Sequence, residues 1–174
     1  MIKVYDDILD TQEFNFVQEH MLGSQFPWHY GDVLNEHSEA VYKPSCDLLY
    51  NAQFCHWFYK DYEPKGPEFV IVRPIISKLN TDSLVRIKAN ITMKTDTIIK
   101  HGFHRDGLAD CNAAIYYVNT NDGYTEFEDG TKVESVENRL VVFNSQIMHT
   151  GTTCTNSKVR CVINFNYYPQ NYGT

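Results

Sequence analysis

Apolar positions change their period partway along the chain. Near the N-terminus, Phe14, Val17 and Met21 recur at helical spacing behind Asp10 and Glu13, a capping-box-like start. The spacing predicts a helix over 11–22 with one apolar face, suited to packing on the outside of a sheet. Residues 2–5 read as a short strand before it. Residues 23–66 are aromatic-rich and irregular. Within them, 48–59 reads as one long strand or a hairpin, and Tyr62-Glu-Pro-Lys-Gly-Pro67 as a loop. A second helix is expected over about 70–80, with Ile75, Ile76 and Leu79 at core spacing; Pro74 allows a regular helix there only if it lies in the first turn. From 84 onward the period is that of strands: 85–93, 113–118, 125–128, 132–135, 140–144 and 159–167 are short β-branched or aromatic runs. Turn signals separate them, at Asp106-Gly107, Asn121-Asp122-Gly123, Asp129-Gly130, Glu137-Asn138 and Asn156-Ser157.

Short, regularly spaced strands after a helical beginning predict an α+β, mainly β fold: a β-sandwich or jelly roll with supporting N-terminal helices. A chain of 174 residues suits one domain over 1–174. Residues 1–83 then form the helical support and substrate-side region, and 84–168 the sheet core. An aromatic content of 14% favours a large packed β interior.

A net charge of −7 argues against general nucleic-acid binding, which calls for a basic surface. No apolar run reaches the length of a membrane span, and the N-terminus lacks the apolar stretch of a signal peptide. The cysteines at 46, 55, 111, 154 and 161 are odd in number and form no C-x-x-C pair. They read as reduced thiols of a cytoplasmic protein, with a Cys154–Cys161 bridge left open.

The candidate chemistry lies in His104-Arg105-Asp106, followed by His149 and then Arg160. In an extended segment, residues two apart share a face, so His104 and Asp106 can reach one metal while Arg105 points away. His149, from a neighbouring strand, would complete two imidazoles and a carboxylate. This donor set suits mononuclear iron(II) with open coordination positions. An H-x-D alone is common by chance, and Asp106-Gly107 could be only a turn. A turn explains neither His149 nor Arg160. His101 competes with His104 as proximal ligand, but its odd offset puts it on the opposite strand face, beside the site or unrelated to it.

In the last run, alternation places Arg160, Val162, Asn164 and Asn166 on one face and Cys161, Ile163, Phe165 and Tyr167 on the other. An arginine and two amides on a buried face are costly unless they line a polar cavity with a partner. A guanidinium grips a carboxylate with two parallel hydrogen bonds. A salt bridge to one of the 22 acids is the competing reading.

These residues resemble a known family. His104-Arg-Asp106, Asn112-Ala-Ala-Ile-Tyr-Tyr-Val-Asn119, Gly123-Tyr-Thr-Glu-Phe127, Leu140-Val-Val-Phe143, His149 and Arg160 stand in the order seen in iron(II)/2-oxoglutarate dioxygenases. They look most like the prolyl-4-hydroxylase-type branch with its small phage and bacterial members, over residues 84–168. The resemblance implies a double-stranded β-helix (jelly roll, cupin-like). It implies His104, Asp106 and His149 as iron(II) ligands and Arg160 as partner of the distal carboxylate of 2-oxoglutarate. Tyr117 then adds a hydroxyl at that carboxylate, Asn164 a polar group beside it, and Asn90 a contact at the metal end. Dioxygen is the other cosubstrate, and the family allows ascorbate. A carboxylate at 106 favours hydroxylation over halogenation. The implied partner is a protein side chain, such as a peptidyl proline, or a small molecule; the implied location is the cytoplasm, the host's for a phage-borne gene. Val162 stands where relatives often carry Ser, and the stretch between Asn90 and His104 lacks the tyrosine pattern of animal prolyl hydroxylases. Two other readings share the fold: a non-catalytic jelly-roll module that binds a metal or carbohydrate, and a cupin-type enzyme that uses no 2-oxoglutarate.

Overall fold

The computed structural model describes residues 1–33, 51–106 and 110–170. Residues 48–50, Cys46 and Gly107 lie outside them. The described elements are β1 (Lys3–Tyr5), α1 (Thr11–Leu22), β2 (His29–Asp32), β3 (Ala52–Lys60), β4 (Glu63–Pro64), α2 (Phe69–Lys78), β5 (Thr81–Met93), β6 (Asn112–Tyr117), β7 (Tyr124–Phe127), β8 (Lys132–Glu134), β9 (Arg139–Asn144), β10 (His149–Gly151) and β11 (Val159–Pro169). No described helix is long and apolar enough to cross a membrane.

Among the described residues, eight strands make one antiparallel sheet in the order β1-β9-β6-β11-β5-β3-β2, with β4 on β3; β10-β7-β8 form a smaller sheet. This is the mainly β, jelly-roll-like architecture that the strand periodicity predicts. The boundary expected near 83 falls inside β5, and β1 to β4 all join the large sheet. β2 and β4 are not visible in the apolar pattern, because they are short and lie mostly at the surface.

Strand alternation sorts side chains into two cores. On the outer face, Ile87, Ala89, Ile91, Tyr116, Cys161, Ile163, Phe165 and Tyr167 pack with Val17 and Met21 of α1 and with Ile71, Val72 and Ile75 of α2. The helix over 11–22 thus takes the place expected of it, and Asp10 caps it by accepting a 2.8 Å hydrogen bond from the Glu13 N–H. On the inner face, Ala113, Ile115, Tyr117, Val141, Phe143 and Val162 meet Phe127 and Val133 of the small sheet.

Two expectations need correction. Pro74 sits inside α2, beyond its first turn. The helix continues because the proline deprives only the carbonyl four residues back, that of Val70, which lies on the exposed side at 50% exposure. Buried Ile71, Val72 and Ile75 hold the helix to the sheet regardless. Residues 101–106 do not form a strand: only isolated bridges, Lys100 to Thr152 and His104 to His149, tie this stretch to its neighbour.

Candidate metal centre

The candidate residues gather where the inner face of the large sheet meets the small one. His104, in the long connection from β5 to β6, is the direct antiparallel partner of His149 on β10. Each N–H donates to the other's carbonyl, at 2.9 and 3.0 Å. Asp106 follows two residues on. One donor atom from each of His104, Asp106 and His149 lies within 4.8 Å of the others, so the structure brings all three together.

Hydrogen bonding selects the ring tautomers. His104 Nδ1 stands 3.2 Å from the Gly102 carbonyl oxygen, and His149 Nδ1 stands 3.0 Å from that of Ile147. A carbonyl can only accept, so each Nδ1 carries the proton and each Nε2 keeps its lone pair for a metal. Burial, reinforced by His149, pushes His104 down to about 4, which keeps it neutral as a ligand must be. Phe143 packs edge-on against the His149 ring at 4.8 Å.

Asp106 is held from behind. Its Oδ1 pairs with Arg86 Nη2 at 2.9 Å, and its Oδ2 accepts from Asn166 Nδ2 at 2.7 Å. Arg86 Nε donates to Asn166 Oδ1 at 2.8 Å, which closes the triangle. Burial would raise this carboxyl, but Arg86, His149 and the Asn166 amide outweigh it and hold it below the usual carboxylate value. Neither Arg86 nor Asn166 is an obvious site residue in the sequence. The available signal is alternation in β5, where Arg86 shares a face with Lys88 and Asn90 opposite the apolar Ile87, Ala89 and Ile91.

Further along the same inner face, Arg160 is only 5% exposed. Its Nε donates to Ser135 Oγ at 2.8 Å and its Nη2 to Thr125 Oγ1 at 3.1 Å. The Tyr117 ring centroid is 5.6 Å from its Cζ, and the Tyr117 hydroxyl donates to the same Thr125 Oγ1 at 2.9 Å. Burial lowers the guanidinium pKa, and among the described residues no carboxylate forms an ion pair with it. Gly123 and Gly151 make room: a Cβ at Gly123 would lie 2.6 Å from Arg160 Cδ, and one at Gly151 would lie 3.4 Å from Nη1. Ser135, Thr125 and these glycines stand in turns and short strands whose pattern does not single them out.

The weaker candidates also share this inner face. Asn164 is half-buried between Ile115 and Lys88, two residues from Asn166. Asn90 stands between Val162 and Cys55, and its Oδ1 is buried without a hydrogen-bond partner among the described residues. His101 departs from its expected place. The chain advances four residues from Lys100 to His104 while the opposite strand advances three from Thr152 to His149, so an extra residue breaks the alternation. His101 is turned inward, buried, and exposed to the charge of Arg160.

Two imidazole nitrogens and a carboxylate oxygen, all within 4.8 Å of one another, fit a divalent first-row metal such as iron(II). No protein-family model matches the chain, and no curated protein matches it in sequence. Solved structures do match in fold. A prolyl hydroxylase from Trichoplax adhaerens, in complex with a hypoxia inducible factor oxygen degradation domain peptide, superposes with a TM-score of 0.63 at 14% identity, covering 97% of this chain and 83% of that one. An oxidoreductase of the 2OG-Fe(II) oxygenase family from Burkholderia pseudomallei gives 0.64 at 12%, covering 98% and 86%. A Pseudomonas putida prolyl-4-hydroxylase gives 0.58 at 12%, covering 97% and 92%. The similarity extends over nearly the whole chain and is one of fold.

Proposed function

We propose that this protein is an iron(II)- and 2-oxoglutarate-dependent oxygenase that hydroxylates a C–H bond of a second substrate. One observation carries the reading: Arg160, a buried cation without a counter-ion among the described residues, bonds to Thr125 opposite the strand that carries His149, one of a donor set suited to iron. A buried guanidinium is costly until an anion joins it. A dicarboxylate that reaches from the metal to Arg160 supplies that anion.

His104, Asp106 and His149 would hold the metal. Bound iron(II) supplies the oxidative chemistry, in which dioxygen is consumed, 2-oxoglutarate is decarboxylated to succinate and carbon dioxide, and one oxygen atom enters the substrate C–H bond. Arg160 binds the distal carboxylate, and Tyr117 shapes the clamp through Thr125, so that 2-oxo acids with one carboxylate are disfavoured. Asn90 and Asn164 complete the polar wall between clamp and metal. Arg86 and Asn166 keep Asp106 ionised and oriented. The inner core around Phe127, Phe143 and Val162 keeps water away from the reacting end. For the second substrate, a peptidyl proline or another protein side chain is the first choice, on the likeness to the peptide-bound Trichoplax enzyme.

The test is spectroscopic and chemical. Anaerobic addition of iron(II) and 2-oxoglutarate should give a weak visible charge-transfer band. Succinate should then form in air with proline-containing peptides. A protein that binds iron(II) but shows neither band nor succinate is not an oxygenase of this class.

A further inference from the structure

His101 is a buried polar side chain that the fold leaves unused. It is 3% exposed, and neither ring nitrogen has a hydrogen-bond partner among the described residues. An imidazole in the interior normally satisfies at least its N–H, because an unmade buried hydrogen bond is destabilising. The backbone around it is well held: its N–H donates to the Gly151 carbonyl at 3.1 Å, and its own carbonyl accepts from Thr150 Oγ1 at 2.7 Å. The ring is therefore placed by the fold but not consumed by it.

Its backbone partner places it near Arg160. It is outside the metal-ligand group, which draws on His104, Asp106 and His149. The charged group that acts on it most strongly is Arg160, followed by His104. It pairs through its backbone with Gly151, the residue opposite Thr125 in the small sheet, and Thr125 is where Arg160 Nη2 and the Tyr117 hydroxyl both bond. The missing side chain at Gly151 leaves the space beside Arg160 Nη1 open. Arg160 commits Nε to Ser135 and one Nη2 hydrogen to Thr125. A carboxylate bound there has more acceptor lone pairs than the remaining guanidinium hydrogens fill, and a neutral imidazole can donate one more bond without adding a second cation.

We propose that His101 is a cosubstrate-binding residue whose ring N–H donates to the distal carboxylate of 2-oxoglutarate, opposite Arg160. This rests on the function proposed above. It gives the clamp two walls, one from β11 and one from the 94–106 segment that also carries His104 and Asp106. Cosubstrate binding then draws the metal-bearing segment and the clamp strand together.

The test compares two ligands on the full chain loaded with redox-silent zinc(II): 2-oxoglutarate, and 2-oxopentanoate, which has the same carbon chain without the distal carboxylate. By calorimetry, His101→Phe should weaken 2-oxoglutarate roughly 10- to 100-fold, the range for one lost bond to a charged group. It should leave 2-oxopentanoate and zinc(II) affinity unchanged, and His101→Gln, which keeps an N–H donor, should recover most of the loss. In the wild type, the His101 ring nitrogen signals should shift on adding 2-oxoglutarate but not 2-oxopentanoate; this decides the matter if the Phe variant does not fold. Equal weakening of both ligands, or no weakening of either, overturns the assignment of His101 alone. A wild-type protein that binds zinc(II) without preferring 2-oxoglutarate overturns the cosubstrate reading itself.

Discussion

His104 and His149 exchange both of their backbone hydrogen bonds across one isolated bridge, and their rings stand 4.6 Å apart. Two candidate ligands far apart in the chain thus meet through main-chain geometry rather than side-chain packing. Both imidazoles set Nδ1 against a backbone carbonyl, which puts the proton there and leaves the Nε2 lone pair free. Replacing either histidine by alanine should abolish stoichiometric iron(II) or manganese(II) binding while leaving the fold intact, because the bridge is made by backbone atoms. Metal titration and circular dichroism on the same samples separate the two effects.

Asp106 depends on Arg86 to remain ionised in a buried place. With Arg86→Gln, burial is opposed by less positive charge, the carboxyl pKa rises, and protons compete with the metal at higher pH. Metal affinity should fall by about tenfold, as is usual when a ligand loses its supporting partner. The loss should grow as the pH is lowered from 7 to 5. A variant whose affinity matched wild type at both pH values would remove Arg86 from the metal centre.

Arg160 should cost the resting protein stability. Arg160→Met removes a buried charge and keeps most of the volume, so its melting temperature should equal or exceed that of the wild type. The same variant should lose the stabilisation that 2-oxoglutarate confers, about 3 kcal/mol at a hundredfold excess over the dissociation constant in the wild type. Thermal melts with and without 2-oxoglutarate measure both.

Gly123 is where the clamp is most sensitive to one methyl group. Besides Arg160 Cδ, an added Cβ would meet the Thr153 carbonyl oxygen at 2.7 Å, and a backbone atom cannot swing away. Gly123→Ala should destabilise by roughly 1–3 kcal/mol through overpacking and weaken 2-oxoglutarate binding by displacing Arg160. Gly130→Ala is the control: nothing lies within 4 Å of its added Cβ, and only the positive φ of +84 works against it, a cost of about 1 kcal/mol. Denaturant titrations should rank the two, and only Gly123→Ala should change ligand affinity.

The metal-free protein should lose stability as it is acidified. An imidazole with an ordinary value of 6.5 takes a proton in the unfolded chain well before His101 and His104, which burial pushes down to about 4, take one in the fold. Between these values the unfolded state binds more protons, so the contribution of these histidines to stability is complete above about pH 6.5 and is lost as pH falls toward 4. At pH 5 each costs about 2 kcal/mol. Urea denaturation at pH 7 and pH 5 should show the drop, and His101→Phe should remove one share of it.

Much of the site can be read along the chain, and the residues that escape have a common cause. Counting in twos places Arg160 on the inner face, because β11 holds its register over the stretch that matters, whereas Tyr117 is singled out by the family resemblance and lies on the inner face of β6. The same counting turns His101 outward, and the structure turns it inward, because one extra residue between the Lys100 and His104 bridges reverses the alternation. Arg86 and Asn166 are visible only as polar residues on inner strand faces; their partner, Asp106, is 20 residues from one and 60 from the other.

The sequence by itself determined the local and periodic features: the capped helix at 11–22, the strand runs after 84, the apolar and polar faces of β11, and the side-chain types offered by H-x-D and His149. Hydrophobic alternation and capping act between near neighbours, so they can be read without the fold. Tertiary structure alone decided the pairing of His104 with His149, the support of Asp106 by Arg86 and Asn166, the isolation of the Arg160 cation from any described carboxylate, and the inward turn of His101. Each of these depends on how distant strands are brought into register, and a single bulge is enough to change which residues face the cavity.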